Sequence, residues 1–158
     1  MSKKFNLYLG KAGQLAAMSY FLMRGWNVAT PEVDVGDDLF VVEDKKGIFY
    51  RVQVKTAQAT KRRNGYSVQF NLPLAQIQSF IDPDIYYVFV FWHDNQWSNV
   101  LIISREDLAD FYSEKNIGSV FKENLILYVS FQSDKITCSE VDFTHFNNNF
   151  EDFPLILH

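Results

Sequence analysis

Eight consecutive apolar residues, Ile85-Tyr86-Tyr87-Val88-Phe89-Val90-Phe91-Trp92, constrain this chain more than any other stretch. The run is short for a helix and lacks the polar alternation of a strand with one wet face. It predicts a central strand covered on both faces, so packed layers must lie above and below it. Asp82-Pro83-Asp84 breaks the chain just before the run. His93-Asp94-Asn95-Gln96 turns it into a second apolar segment, Trp97 to Ile103.

The remaining pattern supplies those layers. Leu7, Leu15, Met18 and Leu22 recur at roughly helical spacing among Ala12, Ala16 and Ala17, and predict a helix over 6–24 that stops at Gly25. Trp26 to Ala29 reads as a short strand. Asp38 to Glu43 and Ile48 to Ala57 form an antiparallel hairpin across the turn Asp44-Lys45-Lys46-Gly47. Residues 59–65 read as a polar, basic loop, and Tyr66 to Asn71 as a strand. Pro73 opens a short helix through Phe80. Ser104 caps a helix through Ser113, with Asp107 three residues on. Leu125 to Phe131 and Lys135 to Ser139 make a last hairpin; the Phe- and Asn-rich end shows no legible pattern. The order predicts an α/β (α+β) fold, a mixed sheet flanked by helices, in a single domain over the 158 residues.

Hydrophobic residues make up 47% and aromatics 16%, which excludes a disordered chain. No apolar run approaches the ~18 residues of a membrane span. The start, Met1-Ser2-Lys3-Lys4, is not followed by the apolar stretch of a secretory signal. With the single cysteine, Cys138, the expectation is a cytoplasmic protein without disulfides. Net charge is −4 but unevenly spread. Residues 1–64 carry 11 Lys/Arg against 6 Asp/Glu, a net of +5; residues 65–158 carry 4 against 13, a net of −9. The basic half suits an anionic partner.

Chemistry concentrates in the first hairpin. Gln53 and Lys55 sit two apart on the second strand and share a face with Phe49 and Arg51, while Tyr50, Val52 and Val54 take the other. Asp38 can meet Gln53 and Lys55 from the neighbouring strand. A carboxylate, an amide oxygen, the Val54 carbonyl and an ammonium at one point suit metal-assisted phosphodiester hydrolysis. Lys61-Arg62-Arg63 follow directly and could grip phosphates, with Lys11 and Lys3-Lys4 adding to them. His93, His145 and His158 lack metal-ligand spacing, Cys138 lacks zinc partners, and no nucleotide-binding glycine loop is present. Gly10-x-x-Gly13 is a weak signal for an anion site at a helix start. Trp92, Trp97, Tyr86 and Tyr87 belong to core strands.

Four ordered blocks carry a resemblance. They are Gly10-Lys11-Ala12-Gly13-Gln14-Leu15-Ala16-Ala17; Arg24-Gly25-Trp26-Asn27-Val28; Pro31 with Asp34-Val35-Gly36-Asp37-Asp38-Leu39; and Arg51-Val52-Gln53-Val54-Lys55-Thr56-Ala57. Over roughly residues 5–60 the chain resembles the PD-(D/E)XK nuclease superfamily, which has the restriction-endonuclease-like fold. It is similar to small prokaryotic members with Gln in the last motif, among them group I intron homing endonucleases. The resemblance implies a Mg²⁺- or Mn²⁺-dependent DNA endonuclease that needs no small-molecule cofactor. It assigns Asp38 as the metal-binding acid, Gln53 where the family usually has Asp or Glu, Lys55 as the motif lysine and Gln14 at the supporting helix position. With Gln at both 14 and 53, one carboxylate remains, and Asp37, Asp34 and Glu32 are the nearby acids that could add to it. Strand alternation sets Asp37 opposite Asp38. A homodimer fits the two-fold symmetry of duplex DNA. The alternatives are an inactive nuclease-fold module that binds DNA or a protein partner as subunit or regulator, and an interaction protein using its aromatic C-terminal half.

Overall fold

The computed structural model describes residues 2–33 and 35–158. Helix α1 (Lys3–Met23) opens under a Ser2 cap that accepts from the Phe5 amide at 3.2 Å. It ends at Gly25, whose φ of +83° only glycine adopts easily. Its buried stripe is Leu9, Gly13, Ala17 and Phe21, one residue every four. This corrects the expected stripe: Leu7, Leu15 and Leu22 are all more than half exposed. The small residues Gly13 and Ala17 face the sheet because they let the helix lie close to it. Gly10 and Gly13 are interior to α1, so they do not open a helix as expected.

Two six-stranded sheets follow. The first is mixed and central. It contains β1 (Asn27–Ala29), β2 (Leu39–Glu43), β3 (Ile48–Gln58), β6 (Ile85–His93), β7 (Gln96–Trp97) and β8 (Leu101–Ser104). The β2–β3 hairpin pairs Leu39 with Val52, and β3 runs parallel to β6 with Gln53 beside Tyr87. The apolar run occupies β6, the strand buried on both faces. The second sheet is antiparallel, with β4 (Thr60–Arg62), β5 (Gly65–Pro73), β9 (Ser119–Phe121), β10 (Asn124–Phe131), β11 (Ile136–Cys138) and β12 (Val141–Asp142). The chain passes from one sheet to the other at Ala59, whose amide donates to the Trp92 carbonyl at 3.0 Å. The basic segment expected as a loop is therefore the β4–β5 hairpin. The expected strand from Trp97 to Ile103 is interrupted at 98–100, where the Ser98 hydroxyl accepts from the Phe91 amide and donates to the Asn99 carbonyl.

Burial explains the layering. One face of the central sheet, through Tyr87, Phe89 and Phe91, packs on Val68, Phe70, Leu72, Leu125 and Leu127 of the second sheet. Short helix α2 (Leu74–Gln78) and α3 (Arg105–Lys115) close that core with Ile77 and Leu108. Ser104 caps α3 by accepting from the Asp107 amide. The other face, through Val41, Val52, Val54 and Val88, packs on Ala17 and Phe21 of α1. The C-terminal segment finishes this second core. Phe153 is fully buried against Phe21, Trp26, Tyr50 and Tyr86. Arg24 donates to the Phe153 carbonyl and Trp26 to that of Pro154. No helix among the described residues is long and apolar enough to cross a membrane.

Candidate functional site

The site forms where β2 starts beside the middle of β3. The Asp38 amide donates to the Val52 carbonyl at 2.9 Å, which extends the ladder by one bond. The next outward-facing group on that edge of β3 is the Val54 amide. It donates to Asp38 Oδ2 at 2.7 Å, so the carboxylate takes the place of a strand partner. Within a strand, the N–H and C=O of one residue leave on the same side. The Val54 carbonyl therefore opens on the edge that Asp38 occupies.

Gln53 and Lys55 flank that residue on the opposite face from Val54, as alternation predicts. One amide orientation satisfies Gln53's neighbours: its nitrogen donates to Gln76 Oε1 at 2.8 Å and to the Gly36 carbonyl at 3.0 Å, and its oxygen accepts from Lys55 Nζ at 3.2 Å. Gln76, on α2, also accepts from the Tyr87 hydroxyl and donates to the Gly36 carbonyl. Burial pushes the Tyr87 phenol up, so it stays a hydrogen-bond donor. A part-buried neutral network thus holds the Gln53 oxygen toward the lysine.

Gln14 reaches the site from α1. Its Nε2 donates to the Asp38 carbonyl at 2.9 Å, and its Oε1 accepts from Lys11 Nζ at 3.0 Å. This contact is possible because Gly13 touches β3: a Cβ built there would lie 2.1 Å from Thr56 Oγ1. Gln14 therefore positions Asp38, and Lys11 brings positive charge to the same rim. Asp38, Gln14, Gln53 and Lys55 are all half-buried, while Lys11 is exposed.

The expected auxiliary acids contribute differently. Asp37 is buried and bound by Arg51, whose Nε lies 3.1 Å from Oδ1 and whose Nη2 lies 3.0 Å from Oδ2. Strand alternation does not govern Asp37, which precedes β2; it is drawn to Arg51, on the face that carries Gln53 and Lys55. Glu32 is exposed in the connection before β2. Asp34 lies outside the described residues. Among the described residues, no three His, Cys, Asp or Glu side chains gather as a metal-binding group. The donors at the site are one carboxylate, one amide oxygen and one backbone carbonyl. They match a hard divalent cation in kind and are few in charge.

Lys61 and Arg62 lie on β4, with Arg63 in the turn that follows. Lys61 reaches Asp94 at 3.7 Å, and the Tyr66 hydroxyl also donates to Asp94. Arg62 and Arg63 are exposed. The sequence missed Gln76 as a member of the site. Its only sequence signal is indirect: parallel pairing sets Tyr87 beside Gln53, and a buried tyrosine needs an acceptor.

No family model matches the chain, and no curated protein matches it. Among solved structures, the bacterial homing endonuclease I-Ssp6803I superposes with a TM-score of 0.53, covering 95% of this chain and 89% of that one at 18% identity. The likeness is one of fold: a mixed central sheet flanked by helices, of the restriction-endonuclease-like α/β kind.

Proposed function

We propose that this chain is a Mg²⁺-dependent DNA endonuclease that acts as a homodimer, with Asp38, Gln53 and Lys55 at its centre. The observation that carries the reading is the seating of the Asp38 carboxylate on the amide of Val54, the residue that separates Gln53 from Lys55 in the sequence. Asp38, the Gln53 oxygen and the Val54 carbonyl would hold the cation. When bound, the cation polarises the phosphate and lowers the pKa of a water. The single carboxylate leaves the remaining charge to the DNA phosphate itself. Lys55 brings a compact charge with three donors, suited to holding the attacking water or the developing phosphorane oxygens. Gln76 and Tyr87 hold Gln53 from behind, and Gln14 holds Asp38 from the side. Lys61, Arg62, Arg63 and Lys11 supply phosphate contacts that carry affinity without sequence choice. The fold shared with a homing endonuclease supports this reading.

Plasmid nicking in Mg²⁺ or Mn²⁺ tests it. The native chain is expected to nick. Lys55→Ala and Asp38→Ala are each expected to lose about 10²-fold or more, the scale for removing one preorganised charge-stabilising group. Nicking that survives both substitutions in folded protein contradicts the proposal. A chain that never nicks yet shifts DNA in a salt-sensitive way would instead be an inactive binding module on this fold.

A further inference from the structure

We propose that the cleft between the β6–β7 turn and the β10–β11 turn binds a nucleoside phosphate, with the base in a neutral cavity and the phosphate in an adjoining arginine notch. The cavity holds about 410 Å³, within the size of small-ligand sites. Two part-exposed rings, Phe131 and Trp97, reach its lining, and Phe91, only 4% exposed, packs against Phe131 with centroids 4.5 Å apart. Its rim carries four side-chain amides, Gln96, Asn99, Gln132 and Asn147. Among the described residues, no Lys, Arg, Asp or Glu lines it. A part-exposed aromatic ring among amide donors and acceptors is the chemistry that recognises a base: the ring gives one contact for its face while the amides pair its polar edge.

Two further observations point the same way. His93 lines the cavity with its side chain 14% exposed, and its Nδ1 is buried without a hydrogen-bond partner; the nearest acid oxygen, Asp94 Oδ2, is 3.9 Å away. A buried polar atom left unpaired is costly, and because Nδ1 is closed to the open cavity a ligand pairs it only by turning the His93 ring. Next to the cavity lies a notch of about 220 Å³ containing Arg62 and Arg63. Phe131 and Gln132 line both spaces, so the two are neighbours. Neither arginine forms an ion pair among the described residues, whereas Lys61 beside them does. Guanidinium groups match phosphate geometry. A basic notch beside a neutral aromatic cavity has the charge distribution of a nucleotide.

The inference goes beyond the nuclease reading and stands without it, because an inactive chain would bind the same ligand. The base can come from a free nucleotide or from an unpaired position in a DNA strand. The test is done in EDTA, so the candidate metal site contributes nothing. The full chain is titrated by calorimetry with the four deoxynucleoside 5′-monophosphates, the four deoxynucleosides and inorganic phosphate. At least one nucleotide is expected to saturate the chain. Arg62→Ala with Arg63→Ala is expected to weaken that nucleotide about tenfold and leave its nucleoside unchanged. Asn147→Ala, at an exposed position, is expected to weaken both. Phosphate binding as tightly as every nucleotide, or no saturation by any nucleotide or nucleoside at millimolar concentration, overturns the proposal. Oligonucleotides carrying one 2-aminopurine, paired or unpaired, then separate the sources. A fluorescence change confined to the unpaired probe and lost in Asn147→Ala assigns a strand base; none, with nucleotide binding intact, assigns a free nucleotide.

Discussion

At the scale of single residues, Gly13 and Asp37 shape the surroundings of the candidate site without facing substrate. Gly13 lets α1 approach Thr56, and that approach carries Gln14 to the Asp38 carbonyl. Gly13→Ala forces helix and strand apart, and a loss of about 2 kcal/mol is expected in urea unfolding, with weakened nicking in the surviving folded protein. Asp37 neutralises Arg51 beside the site. Asp37→Asn leaves a half-buried guanidinium under-paired, and should cost about 3 kcal/mol by the same measurement. The shared face of Gln53 and Lys55 was legible because strand alternation is a strict rule, and the nearness of Asp38 to their strand because the hairpin has a clear turn. Gln76 was not, because a glutamine on a five-residue helix carries no local mark of what it will face. The buried stripe of α1 was misread for a related reason: hydropathy favours leucine, whereas close packing on a sheet selected Gly13 and Ala17.

Elements differ in how far their partners lie along the chain, and this decided which were foreseen. The β2–β3 hairpin, β6 and α3 were legible because period, turn and cap are local. The strand at 66–71 and the hairpin at 125–139 were also legible, but the pairing of β5 with β10 into a second sheet and the C-terminal segment were not. Phe153 meets Trp26 more than a hundred positions away, and a run of Phe and Asn without period gives no hint of it. Phe153→Ala is expected to destabilise the chain by about 4 kcal/mol in urea unfolding, the scale for emptying a fully buried aromatic site. The β4–β5 hairpin is tied to the β6–β7 turn through Asp94. The Tyr66 hydroxyl, with help from Lys61, holds the Asp94 carboxyl below its ordinary value of 3.8. A depressed carboxyl stabilises above its unfolded pKa, and the contribution is lost as pH falls through the lower folded value. An NMR titration of Asp94 should therefore show a midpoint below 3.8 that rises in Tyr66→Phe.

For the whole molecule, the charge division of the chain becomes a division of surfaces only in part. Lys11 stands at the rim of the candidate site, while Arg62 and Arg63 lie along the second sheet. Replacing Lys61, Arg62 and Arg63 by Ala should weaken duplex binding and flatten its salt dependence, by up to about three in the slope of log K against log salt. Two copies are needed to cut both strands, so sedimentation of the native chain is expected to show a dimer, at least on duplex DNA. A strictly monomeric complex would limit the reaction to nicking. The proposed activity requires a cation site with one carboxylate that the DNA phosphate would complete. Calorimetric titration of Mn²⁺ into Lys55→Ala protein, with and without duplex DNA, tests this most directly. Binding is expected to be at least tenfold tighter with DNA present, a gain that disappears when Asp38→Ala is added. Equal affinity with and without DNA, or a gain that survives the loss of Asp38, would contradict it.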